Sequence, residues 1–129
     1  MDPIDDTRRC PCLSGFPLGE CCGPIIAGAA PAPSALRLMR SRFTAYALGD
    51  ARYVLESWHP STRPPTLELD PEQSFFRLDI LSTTRGGMLD TEGTVEFVAH
   101  SRRHGERIEQ HENSAFAKID GRWFYVDGV

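Results

Sequence analysis

The chain has 129 residues, 40% of them apolar and 25% charged, with a net charge of −4 at pH 7. That length supports one hydrophobic core with a small satellite, and the acidic balance argues against nucleic acid or a membrane surface as partner, since binders of either carry a basic excess. No apolar run approaches the ~20 residues of a membrane-spanning helix.

In chain order, Met1 to Asp6 has neither a basic start nor an apolar run, so no secretory signal is expected and the reducing cytoplasm is the expected compartment. All four cysteines then fall within thirteen residues, as Cys10, Cys12, Cys21 and Cys22. Two pairs at the ends of a short loop offer the four soft ligands that zinc takes at about 2.3 Å in a tetrahedron. Pro11, Gly15, Pro17 and Gly19 let the loop fold back, and a segment so poor in apolar residues needs a metal to order it. Disulfides or redox-active thiols stand as the rival reading, although bridges within Cys10/Cys12 or Cys21/Cys22 would be strained. Four thiolates close the zinc shell, so such a site is structural rather than catalytic. Phe16 and Leu18, between the ligand pairs, either stand exposed as contacts for a protein partner or pack on the body.

Pro24 to Pro33 reads as an extended connector because of its three prolines and glycine. Ser34 is placed to cap an amphipathic helix running to Gly49, with Leu36, Met39, Phe43, Tyr46 and Ala47 on its apolar stripe. Asp50 caps a second, shorter helix bearing Ala51, Val54, Leu55 and Trp58, which His59-Pro60 ends. Ser61 to Pro71 lacks periodicity and suits a lid, a pocket rim or a plain crossover. Four strands follow: Phe75 to Thr84, Thr94 to Arg103, Glu106 to Ile119 and Arg122 to Val126. His104-Gly105 and Asp120-Gly121 suit two-residue hairpin turns between the last three. The fold class is α+β, helices first and an antiparallel meander after.

Two-residue turns fix the register. Val95 opposes Ser114, Phe97 opposes Glu112, Ala99 opposes Gln110 and Phe116 opposes Tyr125, so one face collects the apolar residues and carries Glu112, Ser114 and Asp127 inward with them. Phe97, Glu112, Ser114 and Tyr125, with Tyr46 from the first helix, are the expected lining of a pocket. Glu112 there is either a general base or one half of a buried ion pair with Arg40, Arg42 or Arg77.

The Cys-Pro-Cys-x-Ser-Gly and Cys-Cys-Gly elements at 10–15 and 21–23 resemble the SEC-C zinc motif of the SecA translocase tail. Together with 38–46, 58–64, 93–97 and 121–128 they resemble bacterial YchJ-type proteins, a family of uncharacterised role, over nearly the whole chain. Leu13 stands where that motif usually has glycine. The resemblance implies a zinc knuckle and connector at 1–28, followed by a nuclear-transport-factor-2-like domain at 29–129, a cone of helices on a curved sheet. It also implies a small cytoplasmic zinc-binding protein acting as a protein-interaction or small-ligand-binding module. The alternative is a pocket enzyme of lyase, isomerase or hydrolase type using Glu112 as general base.

Overall fold

A computed structural model describes residues 7–129; the expectation for Met1 to Asp6 lies outside the described residues. Helix α2 (Ala35–Leu48) begins where Ser34 Oγ accepts the Arg37 amide at 3.1 Å, and it ends at Gly49, whose φ of 75° no β-carbon opposes. Asp50 then caps α3 (Ala51–Glu56) by accepting the Tyr53 amide at 3.0 Å. Both caps lie where the sequence puts them.

Strands β1 (Gln73–Arg85), β2 (Glu92–Arg103), β3 (Glu106–Ile119) and β4 (Arg122–Gly128) form one antiparallel sheet in sequence order. His104-Gly105 and Asp120-Gly121 are the turns, each with both residues at positive φ, as a type I′ hairpin requires. Val95 faces Ser114, Phe97 faces Glu112, Ala99 faces Gln110 and Phe116 faces Tyr125, the expected pairing. One shift occurs between Ala115 and Phe116, so that Ala115 pairs with Asp127 rather than Val126. This bulge corrects the expectation for Asp127: the extra residue turns it to the exposed side.

The inner face of the sheet packs on α2 and α3 through Val95, Phe97, Phe116 and Trp123 against Leu38, Met39, Phe43 and Val54. The buried arc of α2 is wider than the expected stripe: Thr44 meets Cys10 of the cysteine loop, Ser41 and Arg42 bond to α3 and Ser57, and Ala45 joins the main core.

The segment after the cysteines is not a plain connector. Cys22–Ile26 forms a short helix, α1, which holds Pro24 in its first turn, where a missing N–H costs nothing. Ile25 and Ala32 enter the main core, and Ile26 touches both that core and the cysteine cluster. Past α3, Trp58 bridges Tyr125; the Tyr125 amide donates to Ser57 O at 2.9 Å and the His59 amide to Tyr125 O at 2.7 Å, which covers the outer edge of β4.

Candidate functional site

Two centres stand out, the cysteine cluster and a cavity under the sheet. The cysteine loop closes when the Cys10 amide donates to Phe16 O and the Leu18 amide to Arg8 O. All four sulfurs then lie within 4.8 Å of one another, with Cys12 to Cys21 at 3.6 Å and Cys21 to Cys22 at 3.9 Å. A tetrahedron with arms of about 2.3 Å has edges of about 3.8 Å, so the spacing fits one metal ion. It is far too long for a disulfide, whose sulfurs sit at about 2.05 Å, and all four cysteines are free and buried.

The protonation pattern shows what a cation would supply. Hydrogen bonding from Cys10 holds the Cys12 thiol well below its usual range, while the bonds of Cys22 to Cys10 and Cys12 push the Cys22 thiol far up. Desolvation raises that of Cys21. Four thiolates at this spacing repel one another; around a divalent ion they would carry two net negative charges. Arg40 Nη1 donates to Cys12 O at 2.9 Å and Arg37 Nη2 to Cys21 O at 3.3 Å, placing two cations beside that charge. Ser14 Oγ lies 3.1 Å from Cys21 Sγ, and Thr44 Oγ1 of α2 lies 3.6 Å from Cys10 Sγ, tying the loop to the body.

Of the two placements open to Phe16 and Leu18, Leu18 takes the inward one and is no contact for partners. It is 1% exposed and packs on the cysteines, because the 3-10 turn over Leu18–Glu20 directs it inward, whereas Phe16 is 60% exposed. The apolar neighbour of Phe16 on the outside is Leu13, at 48%.

The second centre is a cavity of about 350 Å³ between α2 and the inner face of the sheet. Phe97, Glu112 and Tyr125 line it from the sheet and Tyr46 from α2. Ser114, expected in the lining, is instead fully buried behind it, because its hydroxyl turns to donate to Glu112 Oε1 at 2.6 Å. Tyr125 donates to the same oxygen at 3.0 Å. Burial, followed by the negative charge of Glu112, pushes the Tyr125 phenol up from its ordinary value, so it stays a donor. The rim comes from Leu67 to Asp70 of the aperiodic segment, which is therefore pocket wall.

No arginine pairs with Glu112 among the described residues. Arg40 reaches the knuckle instead, Arg77 pairs with Asp79, and Arg42 Nη1 donates to Val54 O at 2.8 Å and Ser57 Oγ at 2.7 Å. The Arg42 guanidinium lies 4.4 Å from the Tyr125 ring centre and 5.1 Å from that of Trp58. Sequence reasoning named Arg42 only as one of three possible ion-pair partners for Glu112, and left Trp58, Gln73 and Gln110 out of the pocket. A signal existed for Arg42, a charge within the apolar arc of α2, four residues from both Leu38 and Tyr46.

Comparison with known proteins agrees with this geometry. A family model described as the YchJ middle NTF2-like domain matches residues 34–128. The UPF0225 protein of Corynebacterium efficiens is 48% identical over 126 residues, covering 98% of this chain and 96% of its own. That of Streptomyces coelicolor is 47% identical over 122 residues, with 95% of each chain covered. The solution structure of a SEC-C motif containing protein from Rhodopseudomonas palustris superposes with a TM-score of 0.81 at 37% identity, over 95% of this chain and 98% of that one. A SEC-C motif containing protein from Psychrobacter arcticus, at 23% identity and a TM-score of 0.78, shares the fold over 95% of this chain and 82% of its own. Fold and cysteine cluster together define a SEC-C knuckle carried by an NTF2-like α+β domain. The chain belongs to the YchJ family, whose relatives here are UPF0225 proteins.

Proposed function

We propose that this protein is a cytoplasmic zinc-binding protein in which the knuckle is a structural clasp on a small-ligand-binding domain. The observation that carries the reading is the set of four buried sulfurs at tetrahedral spacing, beside two arginines that offset their charge. Cys10, Cys12, Cys21 and Cys22 would hold the ion, and zinc would contribute a cross-link between the ends of the loop, with no ligand position left for water. A reducing compartment keeps such thiols available, which supports the cytoplasm. The cavity beneath the sheet supports a ligand of small-molecule size. Phe16 and Leu13 offer the exposed apolar contact for a protein partner of the knuckle. Elemental analysis of chain purified under reducing conditions is expected to give one zinc per molecule. A metal content near zero in folded protein would remove the proposal.

A second reading, a lyase, isomerase or hydrolase with Glu112 as general base, draws support from a half-buried carboxylate that has no ion-pair partner among the described residues. It predicts that Glu112→Gln retains ligand affinity and loses turnover; a turnover rate unchanged by that substitution rejects it.

A further inference from the structure

The inference that follows rests on reading the cavity as a ligand site, and it names the ligand's chemistry. Arg42 is 3% exposed. No carboxylate oxygen of a described residue comes within 4.0 Å of its nitrogens. A guanidinium removed from water to that extent is ordinarily matched by an anion, because burial of an unmatched charge is costly. Here its compensation is incomplete: the Glu112 charge acts on it from beyond ion-pair distance. Nη1 is satisfied by Val54 O and Ser57 Oγ, and the faces of Tyr125 and Trp58 attract the charge. Nε and Nη2 donate to no described residue and neither is fully enclosed, and Arg42 itself lines the cavity, which makes the cavity the place for a partner of these two donors. Two free guanidinium donors side by side match the two oxygens of a carboxylate.

The surroundings define the rest of the molecule. Phe43, Tyr46, Phe75 and Phe97 line the cavity next to Arg42, with Tyr46 and Phe75 in ring contact at 5.5 Å, a setting for a flat apolar body. Glu112 lines the cavity from the sheet and is already occupied at Oε1 by two neutral donors. Its negative charge penalises a second acid group on the ligand.

We propose that the cavity binds a small aromatic monocarboxylic acid, with the carboxylate held by Nε and Nη2 of Arg42 and the ring set among the phenylalanines.

The test titrates the zinc-loaded full chain with 2-naphthoate and with 2-naphthamide, which share a ring system and differ in charge. Calorimetry gives the affinities, and heteronuclear NMR follows the Arg42 Nε–H and Trp58 Nε1–H signals. The acid is expected to bind about tenfold more tightly than the amide or better, to shift the Arg42 signal, and to gain affinity in Glu112→Gln while the amide does not. Arg42→Lys, checked for a native spectrum, loses the preference for the acid. Equal binding, or preference for the amide, overturns the carboxylate assignment and leaves a ligand pocket standing. Failure of both compounds to bind at millimolar concentration overturns the assignment together with the pocket reading on which it rests.

Discussion

Leu13 has φ of 64°, a left-handed conformation that costs an L-residue about 1 kcal/mol or more, and its half-exposed side chain recovers little by packing. The position follows the second cysteine, where the chain must reverse before Ser14 can reach Cys21. Leu13→Gly is therefore expected to favour the closed loop by about 0.5–1 kcal/mol, after allowing for the looser unfolded chain. A chelator competition reads this as zinc held a few-fold more tightly. Gly23 shows the opposite constraint, since a β-carbon there would lie 2.7 Å from Leu18 O, a backbone atom of the 3-10 turn that cannot move aside. Gly23→Ala should thus weaken zinc retention by at least tenfold in the same assay. Side chains of this kind decide what the sequence conceals. Leu18 looks like a free loop residue until the cysteines are folded around it, and the place of Arg42 in the cavity depends on an aromatic pair contributed by distant segments.

Among the elements, helix α2 depends on one hydroxyl for its start. Ser34→Ala removes the acceptor of the Arg37 amide and should cost about 1 kcal/mol, seen as a lower urea midpoint with an unchanged slope. On the outer face of the sheet, Asp79 sits between Arg77 and His100, whose hydrogen bonds hold its carboxyl below the usual 3.8. A depressed carboxylate contributes stability that is fully present above its unfolded value and is lost as pH falls through the folded one. Asp70, held down by Arg103, and Glu96, held down by His111, act in the same direction. The urea midpoint should consequently drop below about pH 4, and Asp79→Asn should flatten that limb of the profile. Strands and register were legible because Asp120-Gly121 and His104-Gly105 admit one turn geometry, which propagates along both hairpins. The bulge at Ala115 was not, since no local residue type requires it, and it alone turned Asp127 outward. α1 was hidden for the reverse reason: Pro24 signals a break everywhere except in a first helical turn.

At the scale of the molecule, knuckle and body share material. Ile26 packs on both hydrophobic clusters, Leu48 of α2 packs on the cysteines, and Thr44 contacts Cys10. Removal of the metal should release more than the loop: a chelator is expected to lower the thermal midpoint of the whole chain by at least several degrees. Amide exchange should quicken over 8–33 and along the knuckle side of α2, while β2 and β3 stay protected. A thermal midpoint indifferent to chelator would mean that the knuckle hangs free of the body.

The bridge from Trp58 to Tyr125 has a further consequence. It closes the flank of β4 at Tyr125, so that among the described residues the long open edge of the sheet belongs to β1, which is itself kinked by register shifts after Phe75 and Ile80. A molecule with a single adhesive rim can satisfy that rim by meeting one copy of itself, and has nothing left to offer a third. Concentrated solutions should accordingly contain monomers and pairs, with no ladder of larger species in sedimentation velocity.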